Sequence, residues 1–167
     1  RLLSRSERRT GCGRGAFAGD CAPSGRLPVS LPRSTGQVPV YYNYKNSYRA
    51  IYYMDEQPGA LFPFGYGLGY TEFAWDNIEL STERCNTAAL EKKGVTLTAR
   101  VKNTGKRGGF VVPQLYVTDL AASTVRRVKE LKAFQKVWLD AGQERTVSLS
   151  LDREAFSLWN QKMKLVT

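Results

Sequence analysis

The sequence has 167 residues, a formal net charge of +10 at pH 7 and 42% hydrophobic residues, a composition typical of a globular protein. Histidine is absent, which excludes Ser-His-Asp and Cys-His nucleophile systems within this chain and removes the usual zinc ligand. No apolar run approaches the roughly 20 residues that a membrane-spanning helix needs, so no membrane span is predicted. The three cysteines lack the paired spacing of a metal site, and we predict neither a metal nor a cofactor.

The excess positive charge is not concentrated on one recognition element. Arginines are frequent in residues 1–37, where the first part is polar, rich in glycine and serine, and without hydrophobic periodicity. A nucleic-acid-binding element would combine clustered cations with aromatic or polar readers. We therefore interpret the charge as a solvated basic surface and expect no nucleic-acid partner. The first residue is Arg1 rather than methionine, and we expect the chain to be part of a longer protein.

Proline interrupts the two apolar pieces that follow. Residues 27–31 and 38–42 are each predicted to form a short strand, but the prolines at positions 28, 32 and 39 exclude central antiparallel pairing along their length. Residues 47–60 show no consistent period and end in the turn signal Gln-Pro-Gly.

Residues 61–73, LFPFGYGLGYTEF, alternate aromatic side chains with glycines. A phosphate-binding loop would need a helix after the glycines, and the residues that follow are strand-like, so we reject that interpretation. Two interpretations remain open at this point. The aromatic rings could form a flat surface for a sugar, or the glycines could let the backbone pass close to another domain while the rings fill the gap. The rings in question are Phe62, Phe64, Tyr66 and Tyr70.

From Phe73 onwards the pattern changes to short strands separated by turn signals. Residues 94–102 alternate cleanly between apolar and polar side chains, as in a half-buried strand. Together the strands predict an antiparallel β-sandwich without a long amphipathic helix. The predicted strands are residues 73–80 with a bulge near Asp76 and Asn77, 94–102, 111–120 with Pro113 at an edge or bulge, 131–139 with an irregular middle, 147–151 and 163–167, with a turn-like segment at 152–160.

Two pairs of carboxylates could in principle serve as the acid and the nucleophile of a glycoside hydrolase. They are Asp55 with Glu56, and Glu72 with Asp76. That chemistry needs two carboxyl groups roughly 5–9 Å apart in a cleft that raises one pKa, and nothing in the surrounding sequence indicates such a cleft. We interpret all four as exposed loop carboxylates and predict no catalytic residue in this chain.

The three tryptophans lie within or beside apolar patterns. Trp75 and Trp138 belong to predicted strands, and Trp159 lies in a short turn. Each could be a sugar-stacking platform, but the core or an end-cap of the sandwich is the interpretation that the neighbouring apolar residues favour.

Five segments of the chain, in this order, closely resemble the C-terminal part of the family 3 glycoside hydrolases, the bacterial β-glucosidase and β-xylosidase group. The resemblance covers roughly residues 16–165. The segments are GRLPVSLPRSTGQVPVYYN, LFPFGYGLGYTEF, VKNTGKRGGFVVPQLYV, RVKELKAFQKVWLDAGQ and DREAFSLWN.

The resemblance implies a fold and a division into domains. Enzymes of this family consist of a β/α barrel, an α/β sandwich domain and a fibronectin type III-like domain. The implied fold is an all-β, antiparallel fibronectin type III-like (immunoglobulin-like) β-sandwich, preceded by an irregular connector and the tail of an α/β sandwich domain. Residues 1–36 would be a basic segment and the remnant of the α/β domain, residues 37–72 the inter-domain connector, and residues 73–167 the sandwich, which we expect to be truncated at its C-terminal end.

The resemblance also implies a function for the parent protein. Members of the family are retaining hydrolases of terminal non-reducing β-D-glucosyl or xylosyl residues, with an aspartate nucleophile in a Ser-Asp-Trp-like motif and a glutamate acid/base. Both groups precede the region that this chain resembles, and the sequence contains no Ser-Asp pair. We therefore expect a structural fragment that is inactive alone, whose partners are the upstream catalytic domains, and a secreted or periplasmic location.

The segment of residues 61–73 then becomes a junction between domains. Within it, Phe64 and Tyr66 are the two residues expected to lie close to a β-glucoside or oligosaccharide substrate of the full enzyme. The alternative is a stand-alone fibronectin-like module that binds carbohydrate or mediates adhesion.

Overall fold

The computed structural model describes residues 22–45 and 56–167. Antiparallel strands dominate these ranges, and each strand is short. Short 3-10 helices occupy Thr35–Gln37 and Arg153–Phe156. The elements are β1 (Phe73–Leu80), α1 (Thr87–Lys93), β2 (Val95–Asn103), β3 (Gly109–Val111), β4 (Gln114–Val117), β5 (Glu130–Phe134), β6 (Val137–Leu139), β7 (Glu144–Leu151), β8 (Leu158–Trp159) and β9 (Leu165–Val166).

Two layers of strands enclose one hydrophobic core. The first layer is the antiparallel sheet β1-β2-β7, and the pair β3-β6 contributes buried residues from the other side. The pairs β4-β5 and β8-β9 complete the strand pairing. Since the buried side chains of both layers form a single cluster, the predicted antiparallel sandwich is confirmed. The cluster consists of Ala99, Val101, Val111, Val137, Leu139 and Val147.

Strands β1 and β2 form as their sequences predict. The register between them shifts between Asp76 and Glu79, which confirms the expected bulge, and Asn77 there has a φ of 48°. Along the end of β2 the buried residues alternate with exposed ones, because successive side chains of a strand point to opposite faces. The alternation seen in the sequence is therefore the alternation of the core.

The predicted strand 111–120 is wrong as a single element, because it is divided at Pro113. β3 ends before this residue and pairs with β6, whereas β4 begins after it and pairs with β5. Proline has no amide hydrogen to donate to a ladder, and Pro113 is buried at the point where the chain changes partner. Its carbonyl still accepts a hydrogen bond, from the amide of Gln135 at 3.2 Å.

Helix α1 is a feature that the sequence patterns did not predict. The side chain of Asn86 accepts a hydrogen bond from the amide of Ala89 at 2.8 Å and caps the first turn. Gly94, with a φ of 62°, ends the helix and donates to the carbonyl of Leu90. The helix buries only Leu90, so it has no extended apolar stripe to detect, and these two caps were the available signals.

The strands predicted for residues 27–31 and 38–42 are absent, and this prediction is wrong. Residues 38–42 have no strand pairing, and Leu31 makes only an isolated bridge to Phe62. Hydrogen bonds do join residues 27–31 to the segment that contains Phe62: Leu27 donates to the carbonyl of Tyr66 and accepts from the amide of Gly65, both at 2.8 Å. Prolines remove the donors that would extend these contacts into a ladder.

The core assignment of the tryptophans is also wrong. Trp75 and Trp138 are each 42% exposed, and Trp159 is 62% exposed. β1 is an edge strand with a neighbour on one side only, which leaves Trp75 uncovered. Trp138 lies between two buried residues of β6, so the alternation of the strand turns its side chain outwards. β8 has two residues and provides no layer that could cover Trp159.

Candidate functional site

The connector meets the sandwich through stacked aromatic rings. The ring of Phe64, one of the two predicted site residues, stacks on Tyr42 with centroids 3.9 Å apart and an interplanar angle of 12°. Tyr42 in turn meets Tyr116 of β4 edge-on at 6.2 Å, and its hydroxyl accepts from the amide of Leu131 in β5 at 3.4 Å. Phe64 is therefore joined to the β4-β5 pair through Tyr42.

Polar contacts reinforce this aromatic junction. The side-chain Nε2 of Gln114 donates to the carbonyl of Gly65 at 2.9 Å, and the hydroxyl of Tyr116 donates to Gln114 Oε1 at 2.5 Å. On the other side, the amide of Phe64 donates to Ser30 Oγ at 3.1 Å. Gly65 has a φ of +80°, and a Cβ there would collide with Gln114 and Tyr116. The glycine is thus needed for both its backbone conformation and the close approach, as the sequence predicted.

The junction shifts the pKa of one of its own residues, Tyr116. Burial of its phenol raises the pKa above the usual value of 10.0, and the neighbouring Tyr42 raises the pKa further, since a second phenolate close by would repel the first. The hydroxyl therefore stays protonated at neutral pH and acts as the donor to Gln114.

Tyr66, the second predicted site residue, has a different environment. Its ring packs on Phe62 with centroids 5.1 Å apart and an interplanar angle of 39°, and the residue is 36% exposed. Its carbonyl accepts from Leu27, so the backbone is fixed while one part of the ring stays open. Phe64 is more enclosed and belongs to the junction. Whether either ring contacts a substrate stays a prediction.

An open groove of about 1040 Å³ runs between the connector and the residues before β5. Its sides are joined by a hydrogen bond from the amide of Val128 to the carbonyl of Tyr44 at 2.8 Å. The described residues that line it combine aromatic rings with cationic side chains, and no carboxylate is among them. They include Tyr42, Tyr44, Lys45, Phe64, Arg127 and Lys129.

A second attachment lies at the end of the junction, where Asn103 is fully buried. Its side-chain oxygen accepts from Thr71 Oγ1 at 2.5 Å and from the amide of Gly105 at 3.0 Å. Its side-chain nitrogen donates to the carbonyls of Leu139 at 3.1 Å and Arg107 at 2.8 Å. One side chain thereby joins the connector, a turn and β6. The predicted strand 94–102 ends one residue before Asn103 and gives no indication of this role.

The carboxylates considered in the sequence do not form a catalytic pair among the described residues. Glu72 and Asp76 are exposed, as predicted, and Asp76 Oδ1 accepts from the adjacent amide of Asn77. Glu56 is half-buried rather than exposed, with Oε2 enclosed and without a hydrogen-bond partner in the described part of the chain. Asp55 lies outside the described residues.

The described residues contain neither a metal-binding cluster nor a membrane-spanning helix. In residues 22–45 and 56–167, no three His, Cys, Asp or Glu side chains lie together in a way that could hold a metal ion. The helices described there are too short and too polar to cross a bilayer. Cys85 is a free, exposed thiol, and Cys12 and Cys21 lie outside the described residues.

Comparison with known proteins identifies both halves of the chain. Residues 15–70 match the glycosyl hydrolase family 3 C-terminal domain, and residues 111–167 match the fibronectin type III-like domain. The chain belongs to the C-terminal region of the family 3 glycoside hydrolases. This confirms the resemblance seen in the five sequence segments, as well as the all-β fibronectin type III-like fold.

Individual relatives of this glycoside hydrolase region agree. A periplasmic β-glucosidase of Salmonella typhimurium is 45% identical in an alignment of 157 residues, which covers 87% of this chain and 20% of that protein. A putative β-xylosidase of Formosa agariphila is 36% identical over 89% of this chain and 19% of its own length. The β-glucosidase of Listeria innocua, solved with isofagomine, superposes with a TM-score of 0.83 at 36% identity, over 92% of this chain and 22% of that one.

The chain therefore spans about a fifth of the length of the relatives it matches. It corresponds to the C-terminal part of larger family 3 enzymes, which implies upstream domains in such proteins. The boundaries expected at residues 36 and 72 stay predictions.

Proposed function

We propose that this chain is the structural C-terminal part of a retaining β-glucosidase-type hydrolase that removes terminal β-linked glucosyl or xylosyl residues from small glycosides. One observation carries the proposal. Residues 15–70 and 111–167 match, in this order along the chain, the two C-terminal domains of this family. The names of the relatives, β-glucosidases and β-xylosidases, support this substrate class. The Salmonella relative is named as periplasmic, which supports a secreted or periplasmic location.

Within the parent enzyme, the proposed role of the sandwich is to hold the connector in place against the upstream catalytic domains. In this division, residues 1–36 belong to the α/β domain, residues 37–72 are the connector and residues 73–167 are the sandwich. Two contacts between the connector and the sandwich support the role: the hydrogen bond from the side-chain amide of Gln114 to the carbonyl of Gly65, and the bond between Thr71 and Asn103. They attach the connector to the sandwich at two separate points.

The chemistry itself would come from upstream. A retaining mechanism needs a nucleophile and an acid/base whose carboxyl groups are about 5–5.5 Å apart across the scissile bond. In the family that the chain resembles both groups precede this region, so the contribution that we propose for this chain is positioning. Phe64 and Tyr66 are the residues that we propose to lie closest to the substrate, with the partly open ring of Tyr66 the better placed of the two to contact it.

An activity assay tests the proposal directly. The purified 167-residue chain should not hydrolyse a chromogenic β-glucoside or β-xyloside, whereas the complete enzyme that contains it should. Turnover by the pure chain that disappears in Glu72→Gln and persists in the control variant Glu79→Gln, an exposed carboxylate outside both candidate pairs, would overturn the structural role. A complete enzyme without activity on either glycoside would overturn the substrate class.

A further inference from the structure

The outer face of the sandwich carries an aromatic pair that the junction does not use. Phe110 of β3 and Trp138 of β6 lie directly opposite each other in the antiparallel register, with centroids 4.8 Å apart and an interplanar angle of 72°. Their neighbours Val111, Val137 and Leu139 are buried in the core, so the pair projects from the other side of these strands. Trp138 remains 42% exposed.

The indole of Trp138 is held in one orientation. Its Nε1 donates to Asp140 Oδ1 at 2.9 Å, which satisfies the polar edge of the ring. Gly108 leaves the space that the ring occupies, since a Cβ there would be 2.6 Å from the Cζ2 atom of Trp138. Phe110, itself covered by Lys136 Nζ at 4.1 Å from its centroid, supports the indole edge-on. A fixed ring loses little side-chain entropy when a ligand stacks on it.

The surroundings of the indole are polar and within reach of a ligand that carries hydroxyl groups. Asp140 offers its carboxylate, and Gln143, whose Oε1 accepts from the amide of Asp140 at 2.8 Å, offers its side-chain amide. Lys136 adds an ammonium group on the Phe110 side. An apolar ring face with a few polar groups at its rim is the usual composition of a small-molecule binding site.

A pyranose whose hydroxyl groups are all equatorial matches this arrangement. Its ring faces present axial C–H groups, which pack on an aromatic face, and its hydroxyls project sideways towards polar partners. A protein partner fits less well, because specific protein interfaces bury roughly 1,200–2,000 Å² and this platform is a single indole with charged neighbours. We propose that Trp138, supported by Phe110, is a surface platform that binds neutral β-linked gluco- or xylo-oligosaccharides.

This platform goes beyond the proposed function, because it would retain a sugar chain without cleaving it. It lies on β6, whereas the predicted substrate-proximal residues Phe64 and Tyr66 lie in the connector. Binding to the 167-residue chain and hydrolysis by the complete enzyme are separate measurements, so either proposal can fail without the other.

Titration of the full chain with cellohexaose tests the platform, with the indole N–H signals followed by NMR and the affinity by calorimetry. The indole signal of Trp138 should shift. Trp138→Thr, which places a strand-forming polar residue at this exposed position, should weaken binding by about tenfold or more, equivalent to about 1.4 kcal/mol. Trp159→Thr is the matched control, because Trp159 is even more exposed at 62%, and it should leave the affinity unchanged.

Further experiments test the supporting role of Phe110 and the class of sugar that binds. Phe110→Leu keeps an apolar neighbour but removes the edge-on ring, and it should cause a smaller loss than Trp138→Thr. A galacto-oligosaccharide, whose axial 4-hydroxyl interrupts one apolar face, should bind more weakly than cellohexaose. Hydrolysis of a chromogenic monosaccharide glycoside by the complete enzyme should not change in Trp138→Thr.

Three outcomes would overturn the platform. They are the absence of any shift at the Trp138 indole with millimolar cellohexaose, an unchanged affinity in Trp138→Thr, and an equal loss in Trp159→Thr. The titration of the unmodified chain decides the first outcome even if a variant fails to fold.

Discussion

The ring of Phe64 lies flat against the ring of Tyr42, with their centroids 3.9 Å apart. Both residues belong to the connector, and the link to the sandwich runs through Tyr42, which meets the ring of Tyr116 edge-on and accepts a hydrogen bond from the amide of Leu131. A stacked aromatic pair contributes about 0.5–1.5 kcal/mol beyond the area that it buries. The pair holds two parts of the connector together next to the sandwich, and we expect its loss to affect stability first.

Alanine at Phe64 should destabilise the protein more than alanine at Tyr66. Phe→Ala in a full core costs about 3–5 kcal/mol, and the half-buried Phe64 should cost about 2 kcal/mol. Tyr66, with its partly open ring, should cost about 1 kcal/mol or less. Urea unfolding of the full chain measures both values.

The same two variants in the complete enzyme separate packing from substrate contact. If Phe64 and Tyr66 act mainly in packing, KM for a β-glucoside should rise by less than about threefold, which is under 1 kcal/mol. A larger rise in KM with an unchanged melting temperature would instead favour contact with the substrate.

Gly65→Ala should be more destabilising than Gly59→Ala. Both glycines have a positive φ, +80° and +91°, so both substitutions introduce similar backbone strain of about 1–2 kcal/mol. A Cβ at Gly65 would also collide with Gln114 and Tyr116, whereas nothing lies within 4 Å of a Cβ at Gly59. The difference in unfolding free energy between the two variants isolates the close approach, and we expect about 1–3 kcal/mol. Equal unfolding free energies for the two variants would show that Gln114 and Tyr116 move aside from the new Cβ at little cost.

Asn103→Ala should be among the most destabilising single changes at a polar residue. It leaves the carbonyls of Leu139 and Arg107 and the hydroxyl of Thr71 without their partner, each in or near the core. A buried group that loses its hydrogen bond costs about 1–3 kcal/mol, so the total should exceed about 3 kcal/mol.

A second substitution at this position distinguishes hydrogen bonding from volume. Asn103→Asp keeps the shape but replaces the donating NH2 group with a carboxylate oxygen that faces two carbonyl oxygens, and it should cost as much as alanine or more. Thr104→Ala is the control, because its exposed hydroxyl donates only to the carbonyl of Glu72 at 3.2 Å, and the loss should be under about 1 kcal/mol. An aspartate variant with unchanged stability would contradict the role of the amide as donor.

Stability should fall at alkaline pH because of Tyr116. Burial, and then Tyr42, raise its pKa in the folded state above the usual 10.0. Below pH 10 both the folded and the unfolded states are protonated, so the full stability is present. As the pH rises above 10 the unfolded state releases the proton first, and the free energy of unfolding decreases until the folded pKa is passed.

The variant Tyr116→Phe should remove this part of the pH dependence. It loses the hydrogen bond to Gln114, so it should be less stable by about 1 kcal/mol at pH 8. Between pH 9 and pH 11, however, its unfolding free energy should fall less steeply than that of the unmodified chain. Parallel slopes in urea-unfolding experiments would contradict the raised pKa.

Local sequence patterns were sufficient for much of the sandwich. The alternation of β2 and β7 predicted their buried faces, and the bulge in β1 lies where Asp76 and Asn77 indicated it. The alternation of apolar and polar side chains with a period of two is a property of a single strand, so it can be recognised in the sequence without knowledge of the partner strand. The caps of α1, Asn86 and Gly94, were equally legible but flank a helix with only one buried residue.

Other features depended on contacts with residues that are distant along the chain. Pro113 divides the strand predicted for residues 111–120 because β3 and β4 pair with different strands, and the sequence of this segment does not show which strands its two parts pair with. Trp138 and its neighbours in β6 are all apolar, and only the packing of the second layer decided that the tryptophan faces outwards. An apolar segment can place either set of alternating side chains on the buried face of a sheet, and the packing of the core determines which set is buried.

For the junction, the sequence by itself determined that glycines and aromatic rings alternate over residues 61–73 and that a strand begins at Phe73. Only the tertiary structure decided which ring is packed and which is open. Phe64 is enclosed because Tyr42, distant along the chain, is brought against it, whereas Tyr66, whose ring packs on Phe62, stays partly exposed. The sequence shows which side chains are apolar enough to be buried, whereas their actual burial depends on contacts between segments far apart in sequence.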